Sequence, residues 1–288
     1  MLDTILDSPL SQWLRHDTEA TDHIVISSRI RLARNFDGLL FTNRNDISAL
    51  EKVNAISRGL LQPLKDVDGH QYSNISLEQL SQSERAVLVE KHLMSPALEE
   101  KLPYRNLVVS DDASIVIMVN EEDHLRIQSM ASGLQLQQAY DHAVQIDKAI
   151  EAKHPYAFDE RFGYLTACPT NVGTGLRASV MLHLPALTMS GRITRLIRSI
   201  IQLGYSVRGL YGEGSESLGA IYQISNQRTM GISEEATIEQ LTKIVEGIIA
   251  EERKSRQSLL HNDKEGLEDV LWRSYGVLQY ARRVNGKE

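Results

Sequence analysis

Apolar residues along this chain return with two different rhythms. In "GLQLQQAYDHAVQIDKAIEAKH", residues 133–154, leucine, alanine and isoleucine recur at helical spacing and predict one long helix. The same rhythm predicts helices near 4–16, 46–61 and 76–93, the last with Ser76 as its N-cap. It also predicts helices over "SVMLHLPAL", ending near Pro185, over "RITRLIRSIIQLG" with Gly204 beyond its end, from Ser233 to about His261, and near 265–273. Short β-branched runs predict strands at about 23–32, 105–110 and 114–121, and in "GYLTAC" ahead of a proline. "YSVRGLYGEGSESLGAIYQISNQ" predicts strand, glycine-rich loop, strand. Strands separated by helices, with hairpin-like pairs among them, predict a sheet domain carrying helices, in an α/β or α+β arrangement.

One junction stands out in that pattern. The apolar run "SIVIMV" leads directly into "NEEDHLRIQS", the densest charge cluster of the chain. Strand periodicity would put Glu122, His124 and Arg126 on one face, with Glu121 and Asp123 opposite. Three other stretches place charge beside glycine or a strand end. Arg29 and Arg31 in "SSRIR" share a strand face; "CPTNVGTGLRASV" bends ahead of Arg177, which opens or precedes a helix; in "RGLYGEGSE", Arg208 ends a strand and Glu213 sits among three glycines. Each alone has an ordinary reading as an exposed edge, an ion pair or a turn. Gathered together, five arginines and two glutamates at strand ends suit a polyphosphate lying beside a basic substrate.

Composition narrows the setting. The chain has 288 residues, 42% hydrophobic and 24% charged, enough for one large domain or two lobes. Its formal charge of −7 argues against direct nucleic-acid binding, and no apolar stretch is long enough for a membrane span. The acidic first residues do not read as a signal or transit peptide, and a single cysteine, Cys168, excludes an internal disulfide; both point to the cytoplasm. His92, His124 and His183 lack the close spacing of a zinc motif, so no metal held by protein ligands is expected.

The charged set fits phosphoryl transfer, in which catalysis is mostly positioning and cationic stabilisation. Arginine's planar fork suits phosphate. A guanidinium acceptor, protonated at neutral pH, would need carboxylates to align one nitrogen and take its proton.

"SSRIRLAR", "NEEDHLRIQ", "CPTNVGTGLRASV" and "RGLYGEGSE" resemble, in the same order, the signature segments of the phosphagen (guanidino) kinase family. "VEKHL", "VGTGLRASVMLHLPAL" and "RSYGVL" are similar to its bacterial protein-arginine kinase branch, and the resemblance spans about residues 20–282. It implies an α+β fold, an antiparallel β-sheet flanked by helices of the glutamine-synthetase-like type. It implies a short helical segment at 1–20, a catalytic domain at 21–255 and, at 256–288, the start of a C-terminal helical region that looks truncated. About two dozen residues precede "SSRIR", where small-molecule members carry a helical domain of roughly a hundred.

The implied roles follow residue by residue. Arg29, Arg31, Arg126, Arg177 and Arg208 would hold the phosphates of ATP. Ser27, Ser28, Ile30, His92, the stretch Arg177, Ala178, Ser179, Val180, Met181, and the stretch Arg208, Gly209, Leu210, Tyr211, Gly212, Glu213 would line the nucleotide pocket. Glu122 would be the catalytic carboxylate, Glu213 its loop partner, Glu121 a support, and Cys168 a tuner of the substrate guanidinium. Mg²⁺ would be held mainly by the phosphates. The implied function is transfer of the ATP γ-phosphate to arginine residues in proteins, with a Clp ATPase and its protease, a heat-shock repressor, an activator protein and a homodimer as partners. A small-molecule guanidino kinase and a catalytically dead binding module are the alternatives.

Overall fold

The computed structural model describes residues 2–8, 14, 23–99, 103–209 and 217–284. Its centre is an eight-stranded sheet made of β1 (Val25–Arg34), β2 (Tyr72–Ser76), β3 (Asn106–Ser110), β4 (Ile115–Val119), β5 (Leu125–Ser132), β8 (Leu176–His183), β9 (Tyr205–Gly209) and β10 (Ile221–Asn226). The spatial order is β2-β3-β4-β5-β1-β8-β10-β9, and every pairing is antiparallel. The two-residue strands β6 (Phe158–Asp159) and β7 (Gly163–Tyr164) form a separate hairpin. The α+β expectation holds.

Helices α5 (Leu136–Glu151) and α8 (Glu234–Asn262) lie on one face of the sheet. Ala139, Ala143, Ile146 and Ile150 of α5, with Leu241, Val245 and Ile248 of α8, pack in one core with Ile30, Leu32, Ile127, Ala178 and Val180. A smaller core covers the other face, but only over β2–β4. There Leu88 of α4 (Gln82–Glu90), together with Leu93, Met94 and Leu98, meets Leu107, Val116 and Met118. The run "IVIMV" is therefore uninterrupted because β4 is buried on both faces, Ile115 and Ile117 in one core and Val116 and Met118 in the other. The second cover ends at β4. Beyond it, the same face of β5, β1, β8, β10 and β9 is left for polar side chains.

Several predicted elements are corrected. "SVMLHL" is not helical: it belongs to strand β8, with Ala178, Val180 and Leu182 in the core and Arg177, Ser179 and Met181 on the other face, and helix begins only at α6 (Pro185–Met189). Arg177 thus lies in a strand. The helix predicted over 76–93 starts later, because Ser76 ends β2; the cap is Ser81, which accepts from the Glu84 amide while Glu84 accepts from the Ser81 amide. The helix near 46–61 is α2 (Ile47–Gly59), as expected, with a second helix, α3 (Leu61–Asp68), directly after it; "GYLTAC" contributes only the two residues of β7 to a strand. The chain's last described helix, α9 (Lys264–Tyr280), is longer than predicted and buries none of its residues. α7 (Ile193–Gln202) ends where expected, ahead of Gly204 at φ +86°. Of the helix predicted at 4–16, α1 (Leu2–Asp7) is described; residues 9–13 and 15–16 lie outside the described residues.

Arg34 fastens the sheet to what lies beneath it. Its guanidinium is buried, donates to both carboxylate oxygens of Asp147 on α5 at 2.8–3.1 Å, and donates to the carbonyls of Ala33 and Thr174. It also lies 3.6 Å from the centre of the Tyr164 ring. Burial disfavours the cation, but the charge and hydrogen bonds of Asp147 outweigh it and raise the Arg34 pKa. Gly175 passes so close, at φ +64°, that a Cβ there would lie 2.6 Å from the Ala33 oxygen and from Arg34 Nη1. Arg34→Met should destabilise the fold by about 3–5 kcal/mol, since it leaves Asp147 buried without its cation. Arg34→Met/Asp147→Leu should recover most of that loss. Urea titration reads both; a loss below about 1 kcal/mol in the single variant would show that the pair is dispensable.

Candidate active site

The uncovered sheet face carries the arginines. Strand periodicity puts Arg29 and Arg31 of β1 on that side, and register sets Arg31 opposite Arg177 of β8 and Ala33 opposite Arg126 of β5. Arg208 of β9 faces Gln223 of β10, which accepts from Arg29 Nη2 at 2.8 Å. Arg29 Nε donates to Ser179 Oγ. Two adjoining cavities open on this surface. One, of about 360 Å³, is lined by Arg29, Arg31, His92, Met94, Gln128 and Arg177 among others. The other, of about 300 Å³, is lined by Arg31, Glu122, Arg126, Cys168, Asn171 and Arg208 among others. Arg31, Arg177 and Arg208 border both.

These cations strain one another. Burial and then Arg177, Arg126 and Arg208 lower the Arg29 pKa to about 10. Burial and the neighbouring arginines also push Arg31 and Arg177 down. His92, at φ +59° on the cavity wall, is held neutral by burial and by Arg29. The Nε atoms of Arg31 and Arg177 are buried with no hydrogen-bond partner among the described residues. Clustered cations with orphaned donors suit an anionic ligand.

The acidic cluster is arranged differently from the strand prediction. Residues 120–124 form the turn between β4 and β5, closed by the Asn120 amide on the His124 carbonyl at 3.0 Å. His124 is therefore not beside Glu122. It points inward: its Nδ1 accepts from the Phe36 amide, so Nε2 carries the proton and donates to the Leu40 carbonyl. Burial lowers its pKa and keeps it neutral. Glu121, expected opposite Arg126, in fact binds it. Glu121 Oε1 accepts from Arg126 Nη1 and Ser95 Oγ, both at 2.8 Å, and Oε2 from the Glu122 amide. Glu122 accepts from Arg126 Nη2 at 3.1 Å and Asn171 Nδ2 at 3.4 Å, and its side chain stays 41% exposed against 4% for Glu121. Glu121 is spent on positioning, whereas Glu122 faces the cavity.

The segment after β7 brings Cys168 to the same place. Asp123, whose pKa burial raises, accepts from the Ala167 amide and Asn35 Nδ2, both at 2.7 Å. Thr229 Oγ1 donates to the carbonyls of Thr170 and Val172. Cys168 Sγ lies half-buried, 3.0 Å from Thr170 Oγ1.

The other expected residues divide by face. Ser179 and Gly209 border the arginine face, Gly209 lining the larger cavity, while Met181 alternates onto that face farther along β8. Ile30, Ala178 and Val180 turn into the core. Ser28 Oγ is engaged on the helix side, donating to the Gly133 carbonyl and accepting from the Gln135 amide. Ser27 is buried on β1 and lines neither cavity. Leu210, Tyr211, Gly212 and Glu213 lie outside the described residues. Ser95, Asn171 and Gln223 complete the site and were not singled out in the sequence. Asn171 lies within the quoted "CPTNVGTG"; Ser95 and Gln223 carry no local signal.

Comparison with known proteins agrees with this geometry. Residues 53–255 match the family model "ATP:guanido phosphotransferase, C-terminal catalytic domain". The chain belongs to that family, and it is an enzyme, a phosphotransferase. Among curated relatives it is 46% identical over 289 residues to the protein-arginine kinase of Halalkalibacterium halodurans (strain ATCC BAA-125 / DSM 18197 / FERM 7344 / JCM 9153 / C-125), covering 100% of this chain and 80% of that one. It is 46% identical over 282 residues to the protein-arginine kinase of Geobacillus stearothermophilus, covering 98% and 77%. Among solved structures, a lombricine kinase crystal structure superposes with a TM-score of 0.70 at 24% identity, covering 88% of this chain and 71% of that one, and so shares its fold. The duplicated taurocyamine kinase of Schistosoma mansoni, with bound transition-state-analogue components, gives 0.69 at 26%, covering 82% and 34%.

If the orphaned donors meet phosphate, Arg31→Ala or Arg177→Ala should weaken ATP binding about 10- to 100-fold, the range for a lost charged hydrogen bond. Adenosine binding should change far less. Calorimetric titration of both ligands checks this; unaltered ATP affinity would show that the donors serve the fold alone.

Proposed function

We propose that this chain is a protein-arginine kinase, which moves the γ-phosphoryl group of ATP to the guanidinium of arginine residues in proteins. The observation that carries the reading is the exposed Glu122 carboxylate sharing one cavity with Arg31, Arg126, Arg177, Arg208 and Cys168. Identity of 46% over the whole chain to relatives named protein-arginine kinase supports the acceptor class.

The chemistry follows from the groups in place. Arg29, Arg31, Arg126, Arg177 and Arg208 bind the triphosphate and stabilise charge spread over the transferring phosphoryl oxygens. Glu122 accepts hydrogen bonds from the acceptor guanidinium and aligns one nitrogen with the phosphorus. As the N–P bond forms and the bond to the ADP oxygen breaks, the proton on that nitrogen passes to Glu122. Glu121 holds Arg126 so that the phosphate-binding cation and the acceptor-binding carboxylate keep their spacing. Cys168 tunes the guanidinium, with no covalent intermediate. Glu213 joins Glu122 as the second acceptor-binding carboxylate. The nucleotide pocket is built on the segments Ser27–Arg31, Arg177–Met181 and Arg208–Glu213 with His92; Arg29, Arg31, Arg177, Arg208, Gly209 and His92 line it, while Ile30, Ala178 and Val180 anchor those strands in the core. Mg²⁺ fits as an ion carried by the phosphates: among the described lining residues of the two cavities, only Glu90 and Glu122 offer carboxylates.

The same reading assigns residues 21–255 to the catalytic domain, 1–20 to a short helical segment and 256–288 to the start of a C-terminal helical region. The end of the family match at residue 255 and the exposure of α9 support the second of these boundaries. It places the enzyme in the cytoplasm as a homodimer, where an activator protein switches it on, a heat-shock repressor is a substrate, and phosphoarginine marks proteins for a Clp ATPase and its protease. Among the described residues no helix is long and apolar enough to cross a membrane.

Glu122→Gln should lower arginine phosphorylation at least about 100-fold, the scale of a lost acid–base group, with ATP affinity unchanged within a few-fold. Wild-type turnover by this variant would remove Glu122 from the chemistry. In side-by-side kinetics, kcat/KM should be at least about 100-fold higher for arginine in casein than for free arginine, or about 2.7 kcal/mol. That preference comes from remote contacts which free arginine cannot make. Equal efficiency would replace this reading with a small-molecule guanidino kinase, and nucleotide binding without turnover would replace it with a binding module.

A further inference from the structure

A second group of ionisable side chains lies well away from the arginines. His70 follows α3, and Asp111 and Asp112 form the turn between β3 and β4. His70 Nδ1 is 2.8 Å from Asp111 Oδ1, and His70 Nε2 is 3.8 Å from Asp112 Oδ2. One ligand atom from each of the three lies within 4.8 Å of the others. His70 and Asp112 line a cavity of about 400 Å³ together with His142, Ser114, Ser132 and Gln135. The cavity meets β5 at Ser129–Ser132 and α5 at Ala139 and His142, on the helix-covered side of the sheet, whereas the active-site cavities meet β5 at Arg126 and Gln128 from the other side.

We propose that His70, Asp111 and Asp112 form a binding site for a divalent transition metal ion of the zinc type. One imidazole with two carboxylates suits such an ion, and ligand distances near 2.0–2.2 Å need donor atoms about 3.3 Å apart, within reach of small side-chain rotations here. His70 and Asp112 line the cavity, so an ion they held would border it; His142 lines it too, with its ring centroid 6.2 Å from that of His70.

The surroundings orient these ligands as outer groups do at metal sites. Asp112 Oδ1 accepts from Ser110 Oγ, the Ser114 amide and Ser114 Oγ, so its other oxygen is the one turned to His70. Asp68 accepts from the His70 amide at 2.9 Å through one oxygen, and contacts His142 Nε2 at 3.0 Å and the Tyr72 hydroxyl through the other. It fixes the backbone of one histidine and the ring of the next. An ordinary ion pair between His70 and Asp111 accounts for the 2.8 Å contact but not for the second carboxylate, held in place by three hydrogen bonds with a free oxygen facing the same ring. Sequence spacing could not reveal this set: no two of its elements look like a metal motif, since His70 stands some forty residues from the aspartates.

Such an ion would tie the α3–β2 connection to the tip of the β3–β4 hairpin. The test uses tag-free full chain, titrated with Zn²⁺ by calorimetry and with Co²⁺ by visible absorption. One equivalent should bind, with cobalt d–d bands of a low-coordinate nitrogen–oxygen site rather than of the hexaaquo ion. His70→Ala and Asp112→Asn should each weaken binding at least about 10-fold, and Asp68→Asn by about 10-fold through loss of outer support. Cys168→Ala should leave it intact, which separates this site from adventitious binding at the only thiol. Melting temperatures without metal show whether each variant is folded. Absence of saturable binding, or binding undiminished in folded His70→Ala and Asp112→Asn, would overturn the proposal.

Discussion

Like charges have to be held together in this protein, and the whole sheet is arranged around that constraint. Arg29, Arg31 and Arg177 share one face of two paired strands, and burial with mutual repulsion takes the Arg29 pKa down to about 10. A shift of that size is on the order of 3 kcal/mol against keeping the charge. The opposite faces of the same residues' neighbours supply the compensation. Ile30, Leu32, Ala178 and Val180 are fully buried against α5 and α8, and each large aliphatic side chain so buried returns about 1.5–3 kcal/mol. Strand periodicity couples the two effects without adjustable joints: moving an arginine out of the cluster means moving an isoleucine out of the core. The repulsion is thus held in place by the core, and an anion bound on that face would relieve it.

The same coupling decides what could be read from the sequence. Arg29 and Arg31 were legible as one-face neighbours because "SSRIRLAR" alternates cleanly and lies in a strand. "RASVMLHL" alternates just as well, with Ala178, Val180 and Leu182 in the core, but its leucines and methionine also satisfy a helical pattern that Pro185 would end, whereas in the structure Pro185 starts a helix. Proline at a first helical turn is favourable, since its missing N–H would be unpaired there. The turn at 120–124 was missed for a different reason. Five polar residues after an apolar run continue a strand pattern arithmetically; what breaks it is the left-handed Asn120, at φ +56°, with its side chain bonded to the carbonyls of Leu50 and Tyr104. Those partners are distant in the chain, so nothing local announces them.

That turn explains why the core strand runs straight into charge. β4 is covered on both faces and β5 on only one, so the connection between them crosses the boundary where the second apolar cover stops. Residues placed there have a rigid mount on one side and open space on the other. Asn35 and Asp123 tie the turn to the loop carrying Cys168: Asn35 accepts from the His124 amide and donates to Asp123, which in turn accepts from the Ala167 amide. Thr42 donates to the Glu122 carbonyl from the other side. Glu122 therefore has a fixed backbone and a free carboxylate, the combination that places a reacting group without blocking it.

Two adjacent glutamates with one arginine then divide the work by exposure alone. Glu121 and Glu122 have the same chemistry and both bind Arg126, one to each terminal nitrogen. Glu121 is enclosed by Ser95, Arg126 and the next amide, which together hold it in place as a support for Arg126. Glu122 keeps one oxygen clear of these contacts. Because Ser95 belongs to the segment bordering the larger cavity and Asn171 to the loop bordering the smaller one, the pair spans the two cavities through a single guanidinium. Arg126 borders the smaller cavity beside Glu122, and any shift of its guanidinium is felt by Glu122 through a 3.1 Å contact. The segment walling the larger cavity and the exposed carboxylate in the smaller one are in this way joined by one residue, whose two nitrogens serve two neighbouring carboxylates.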